Sequence, residues 1–382
     1  MAKTYLKKYY SNTFRLQCLD VDPLTMDQFD RSVESVGKIL EKDPAFLTSK
    51  HIIGTGCGDS ILATAVCRDA CAYYLPDVTF EAIVALELSR FYNMEACDKN
   101  TIIVAASVSG GINRTNECLA RGNKNGLVTV AMTDNAESKS AKTAKILYHV
   151  NSPVGDNNAG NRTYFVNILS FIILMAAMAE LRTGRSYLPE LREQVKKYHD
   201  AFFAEFEAMD DFLFKKAFEW KEKKFFEIVA DNALFWSARF ISAKLAEVPG
   251  DLCSVVDSEN YMHVNSIMYP GSWFGEMNMI CSYENNVSRI ADTINNQVKR
   301  NGRDVLVFAD KAPEELGITE KVDYLHVPVP EKEWHFLLPL YSYLPGSLFA
   351  AYRAAVLGEP FFRGGFDFEV FEHSYFSPEV II

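Results

Sequence analysis

The sequence predicts an α/β protein of two similar units in tandem, each a parallel sheet flanked by helices in a three-layer, flavodoxin-like arrangement. Apolar runs of strand length alternate with helical patterns from about residue 50 to 150, and again from about 226 to 357. Strand, helix, strand at this spacing makes βαβ units and a parallel sheet. Two early strand ends run into turns rich in glycine and serine, His51 to Ser60 and Ile102 to Gly111. With 382 residues, 48% of them hydrophobic and 23% charged, the chain is long enough for two ordinary domains and a sizeable core.

The elements follow in order. Residues 1–23 read as irregular, and Thr25 with Gln28 suggests a capping box for a helix reaching about Leu40. Strands fit 50–54, 79–84, 101–106, 127–132 and 146–150, with helices near 60–74, 86–92, 113–122 and 136–143. A long helix is expected from about Arg162 to Leu181, ended by Gly184; its apolar heart, Phe171 to Ala179, is too short to span a bilayer and reads as buried. Charged and aromatic residues from Leu188 to Lys224 carry helical periodicity and read as two linking helices. The second alternation places strands at 226–230, 252–256, 277–281, 305–308 and 324–327, and helices at 235–248, 285–300 and 335–357. The resulting division is an N-terminal arm and helix over 1–48, a first domain over 49–185, a helical linker over 186–224, a second domain over 225–357 and an irregular tail over 358–382.

Composition excludes several function classes. A net charge of −11, from 39 Lys+Arg against 50 Asp+Glu, leaves no basic stripe for nucleic acid. No membrane segment is expected. Met1 to Tyr5 opens no signal peptide, and the eight cysteines form no CxxC pair, so reduced, packed thiols in the cytoplasm are expected. Cys67 and Cys71, one helical turn apart, read the same way. His51, His149, His199, His326, His335 and His373 show no metal-ligand spacing, and no metal or organic cofactor is implied.

The chemistry concentrates in the two turns. Gly56-Cys57-Gly58-Asp59-Ser60 and Ser107-Val108-Ser109-Gly110-Gly111 each place small and hydroxyl residues between a buried strand and a helix. Such turns aim main-chain N–H groups and hydroxyls at an anion, aided by the positive helix end. A bare β–α connection is the simpler alternative. A dinucleotide fingerprint would need a third glycine where Asp59 stands.

These segments resemble the sugar isomerase (SIS) domain family. The first turn is similar to the family's C-G-x-S, the second to S-x-S-G-x-T, and Glu87-Leu88-Ser89-Arg90-Phe91-Tyr92 to its S-E-F-x-Y stretch. Two SIS domains in tandem describe the isomerase half of glucosamine-6-phosphate synthase and the related Amadori-product deglycases. In the later half, Ser242-Ala243-Lys244-Leu245-Ala246-Glu247 looks like the family helix A-L-K-L-x-E, and His263 follows Glu247 by sixteen positions, as in the family.

The resemblance implies a set of roles. Gly58, Ser60, Ser107, Ser109, Gly110, Asn113 and Thr115 would hold the phosphate. Glu247 would be the base moving a proton between sugar C1 and C2, Lys244 would orient it or stabilise an enediolate, and His263 would open the ring, in its own or a partner subunit's site. Glu247 lies among Leu245, Ala246 and Val248, which suggests a desolvated, basic carboxylate. Asn161, Glu259 and Arg363 are weaker sugar-contact candidates. On residue type alone, Lys244 with Glu247 also reads as an ordinary i, i+3 surface pair, His263 as a packed or surface residue, and Glu259 as a helix N-terminal charge.

The pattern also departs from the family. Ile112 stands where the family has a phosphate-donating Thr, Asp156 fits the family acid but Asn161 replaces the Ser near it, and Arg363 replaces a tail Lys and cannot form an imine. The second domain opens on Ala230-Asp231-Asn232-Ala233 without glycines, which implies one phosphate site. No glutaminase domain precedes residue 49, so an amide-transfer synthase is not expected. The expected function is a cofactor-independent sugar-phosphate isomerase acting as a homodimer with a shared site. A fructosamine-6-phosphate-type deglycase using the same Glu and His is one alternative, and a non-catalytic phosphosugar-binding regulator is another.

Overall fold

A computed structural model describes residues 12–153, 159–268 and 273–359. Arg363 and Asp156 lie outside these stretches. The described chain forms two compact units, one from residues 23–153 and 162–196, the other from 197–359 together with 12–22 and 159–161.

In the first unit, β1 (His51–Gly56), β2 (Thr79–Val84), β3 (Ile102–Ala106), β4 (Val128–Thr133) and β5 (Ile146–His149) form a sheet in the order β2-β1-β3-β4-β5, every pairing parallel. Every residue of β3 and β4 is buried, which is why these strands read as continuous apolar runs. The helix Arg162–Thr183 is long enough to cross a bilayer, contrary to the length read from its apolar heart. It is a core helix nonetheless: Tyr164 to Ala179 are all buried, Tyr148 Oη donates to the Ser170 carbonyl at 3.0 Å, and Phe171 meets Phe80 edge-on at 5.7 Å.

The second unit repeats the topology. β6 (Phe225–Ala230), β7 (Leu252–Val256), β8 (Phe274–Ile280), β9 (Asp304–Ala309) and β10 (Asp323–His326) form a parallel sheet in the order β10-β9-β8-β6-β7. Read from β7, this is the first sheet's permutation. The helix Val287–Lys299 buries Ile290, Ala291 and Ile294 with Val305 and Val307 of β9.

Several local expectations change. Thr13–Leu19 is a helix, capped by the Asn12 side chain on Arg15 N at 2.9 Å. Distant partners hold it: the Arg15 guanidinium pairs with Asp210 and Nε donates to Tyr352 Oη at 2.7 Å, while Asn12 Nδ2 donates to the Ala351 carbonyl at 2.8 Å. The next helix starts at Val21 and runs to Gly37, so Thr25 and Gln28 are interior rather than a capping box. Both are fully buried, and Gln28 Nε2 donates to the Val150 carbonyl at 2.8 Å. The expected 60–74 helix is two, Asp59–Ala65 and Arg68–Tyr74. The expected 335–357 helix divides into a 3₁₀ stretch, Lys332–Leu340, holding Pro339, and an α-helix, Leu344–Leu357. A proline lacks the N–H an α-helix interior needs.

Candidate functional site

In the first unit, strand order reverses direction between β1 and β3. Crevices at such switch points, outside the carboxyl ends of the strands, are where open α/β sheets bind ligands. Both serine-bearing turns leave the sheet there. Gly58 adopts φ 54° and ψ −127°, a region only glycine occupies readily, and passes the chain into Asp59–Ala65. Ser60 is half-buried and makes no side-chain hydrogen bond among the described residues.

The second turn is tied at several points. Gly110 has φ 62°, and its N–H donates to the Ser107 carbonyl at 3.1 Å and to Ser107 Oγ at 3.2 Å. Its carbonyl accepts from Ser140 N at 2.9 Å. A Cβ at position 110 would collide with the Ser138 side chain. Ser107 is buried, whereas Ser109 is exposed and accepts from Gly111 N at 3.3 Å, leaving its hydroxyl proton to donate.

Cys57 Sγ of the first turn lies 3.9 Å from Thr115 Oγ1, on the helix Asn113–Lys124 that follows the second. The two turns therefore converge. Neither following helix has a side-chain cap: Gly58 and Ile112 occupy the cap positions. First-turn N–H groups of an uncapped helix need outside partners. Thr115 is fully buried, so it supports the crevice wall. Asn113 Oδ1 accepts from Lys139 Nζ at 3.3 Å.

The second unit holds the acid–base candidates in two pairs. Lys244 and Glu247 end the helix Asn232–Glu247, where Lys244 Nζ donates to Glu247 Oε2 at 2.5 Å. Lys244 is fully buried, its ammonium 4.7 Å from the Phe240 ring centre, while the Glu247 side chain is 39% exposed. Glu247 is thus less desolvated than its apolar sequence neighbours suggest, and it serves as counter-ion to a buried lysine. His263 ends the short helix Ser258–His263, and its Nε2 lies 3.0 Å from Glu259 Oε1. Arg289 also donates to Glu259, at 2.7 Å, and these two bonds, Arg289's first, hold the carboxyl below its usual range. Among the described residues His263 is partnered by Glu259, not Glu247. Asn161 is fully buried; its Nδ2 donates to Cys18 Sγ at 3.1 Å inside the second unit, while its Oδ1 is buried without a hydrogen-bond partner among the described residues. Arg363 lies outside the described residues.

No family model matches the chain, and no curated protein matches it by sequence. Solved structures match over nearly the whole length. The C-terminal domain of glucosamine-fructose-6-phosphate aminotransferase from Francisella tularensis aligns with a TM-score of 0.76 at 16% identity, over 90% of this chain and 97% of that one. Tagatose-6-phosphate ketose/aldose isomerase from Escherichia coli aligns at 0.68 and 13% identity, over 92% and 95%. Glucosamine-6-phosphate deaminase from Thermotoga maritima aligns at 0.66 and 14% identity, over 90% and 94%. The chain has the tandem sugar-isomerase fold.

Within this SIS fold the two switch points differ. In the second unit, Asn232 takes the left-handed conformation, φ 50°, just after β6. Asn is among the few residues that tolerate it. Around it, Asp231 accepts from Ser258 N at 2.8 Å and Ser258 Oγ at 2.6 Å, and Asn232 Nδ2 donates to Glu284 Oε1 at 3.4 Å. Two carboxylates stand where a phosphate would need donors. The second serine-bearing turn of the first unit also depends on residues that sequence reasoning did not single out. Ser138 caps the helix Lys139–Thr143 and packs under Gly110, and Ser140 Oγ donates to Asn116 Oδ1 at 2.6 Å. A serine immediately before a helical pattern was the available signal for Ser138.

Proposed function

We propose that the chain is a phosphosugar isomerase-type enzyme that moves a proton between C1 and C2 of a sugar phosphate without a cofactor. The convergence of two serine- and glycine-bearing turns at the first unit's switch point carries this reading. Ser60, Ser107, Ser109, Gly58, Gly110 and Asn113 are assigned to the phosphate cradle, with Thr115 behind it. The carboxylates at the second unit's switch point support a single phosphate site.

Glu247 is assigned as the base. Its accessible oxygen can take a carbon-bound proton while Lys244 keeps the carboxylate oriented. His263, 69% exposed, has the accessibility to open a sugar ring in a neighbouring subunit's site, and we include a homodimer in the proposal. All eight cysteines are free, which supports a reducing, cytoplasmic setting. A deglycase would share the first proton transfer. A regulator that binds without turnover is favoured by Ile112, which puts an apolar side chain at the helix cap after the second turn.

Incubation with fructose 6-phosphate and with a fructosamine 6-phosphate in D₂O separates these readings. Deuterium at C1 of fructose 6-phosphate, or at C2 of the aldose phosphate formed from it, supports the isomerase, and amine release from the second compound supports the deglycase. Ligand-induced stabilisation with no exchange supports the regulator. Neither stabilisation nor exchange removes the phosphosugar reading.

A further inference from the structure

The phosphate cradle read from the sequence consists of neutral donors, yet a cation stands within its electrostatic reach. Arg114 occupies the first turn of the helix Asn113–Lys124, immediately after the second turn. Its side chain is 13% exposed, and Nη1 donates to Glu117 Oε2 at 2.5 Å. The same oxygen accepts from Arg90 Nε at 3.1 Å. Glu117 is fully buried, and two guanidinium groups converge on its carboxylate.

Arg114 directly precedes Thr115, whose Oγ1 lies 3.9 Å from Cys57 Sγ of the first turn. Burial pushes the Cys57 thiol up, and the Thr115 hydroxyl and then Arg114 pull it partly back. A cation on the second turn's helix therefore acts on an atom of the first. Burial first, and then the nearby acid in that turn, Asp59, raise the phenol of Tyr164 on the helix Arg162–Thr183. At the rim, exposed Lys139 adds a second positive group through its bond to Asn113.

We propose that Arg114 is a specificity-determining residue: a cation oriented by Glu117 that selects dianionic phosphate monoesters over monoanionic or uncharged sugars at this cradle. This rests on the phosphosugar reading given above. A phosphate monoester takes its second negative charge near pH 6. A fixed guanidinium favours that form, and salt screens the attraction. Neutral serine and main-chain donors alone would give weaker dependence on salt and on the phosphate's second ionisation.

Calorimetric titration of the full chain with fructose 6-phosphate and with fructose tests this. Wild-type protein is expected to bind the ester and not the free sugar, more tightly at low salt and as pH rises through about 6. Arg114→Gln is expected to lose about tenfold in affinity and most of the salt dependence, and Arg114→Lys to keep much of both. A second readout needs no ligand. The pH profile for alkylation of Cys57, followed by peptide mass spectrometry, should move upward in Arg114→Gln and far less in Arg114→Lys. Should Arg114→Gln not fold, the salt and pH dependence of the wild type and the Arg114→Lys profile still decide the matter. Ester binding indifferent to salt and to the phosphate's second ionisation, or a folded Arg114→Gln with wild-type affinity, overturns the assignment while leaving the phosphosugar reading intact. An unchanged Cys57 profile in that variant overturns it as well. Failure of the wild type to bind any phosphate ester overturns both, a result distinct from the others.

Discussion

Replacing Glu276 with Gln should stabilise the second unit near neutral pH and flatten the fall of its stability as pH rises. Glu276 of β8 is the register partner of Glu227 of β6, and both side chains are fully buried. Glu227 accepts from Ser254 Oγ at 2.9 Å and from Asn265. The cation at this pair is Arg303, whose Nε lies 3.4 Å from Glu276 Oε1 and whose guanidinium stacks on Phe274 at 3.5 Å. Burial first, then the neighbouring Glu227, pushes the Glu276 carboxyl well above its ordinary 4.5, against the downward pull of Arg303. The folded unit therefore holds this proton more tightly than the unfolded chain. The stabilisation is fully present below about 4.5 and is lost as pH rises toward the raised folded-state value. Across that window the slope is about 1.4 kcal/mol per pH unit. Gln cannot ionise and can donate to Glu227, so the variant should lose this slope and gain on the wild type by up to that amount per unit.

The assay is convenient because the four tryptophans, Trp220, Trp236, Trp273 and Trp334, all lie in the second unit. Urea denaturation followed by tryptophan fluorescence at a series of pH values reports its stability. A difference between wild type and Glu276→Gln that stays constant with pH would refute the account of a raised Glu276 carboxyl.

Three further outcomes are expected. Gly110→Ala must place a Cβ against Ser138 in a left-handed conformation; it should cost about 1–3 kcal/mol in the first unit, seen in calorimetric unfolding, and weaken ester binding. Arg353→Met removes a fully buried guanidinium that bonds both Asp251 oxygens at 2.9 Å and the Trp220 carbonyl at 2.7 Å, and should cost about 3–5 kcal/mol in the urea assay. Glu247→Gln should end exchange from solvent while leaving ester binding near wild type; it also removes the carboxylate charge paired with buried Lys244, so stability should fall by about 1–3 kcal/mol, discounted because Glu247 is partly exposed.

The strands were legible because parallel, doubly covered strands are unbroken apolar runs, as in Ile102–Ala106 and Val128–Thr133. β8 was read short, from Met277, because buried Glu276 interrupts the run. Thr13–Leu19 was illegible because its support, Asp210 and Tyr352, lies far along the chain. The glycines and serines of the two turns were visible as turn chemistry. Their convergence through Cys57 and Thr115 was not, since it depends on β1 and β3 being neighbours. Asn161 and Glu247 show what neighbours in sequence do not tell: the apolar residues flanking Glu247 suggested desolvation, yet its side chain is part-exposed at a helix end, and the burial of Asn161 against Cys18 depends on a segment far away in the chain.

A crystal structure with fructose 6-phosphate soaked in tests the cradle most directly. The phosphate is expected at the carboxyl ends of β1 and β3, within hydrogen-bond reach of the Ser60 and Ser109 hydroxyls. Full-occupancy density for the ester elsewhere, with those two turns empty, would contradict it.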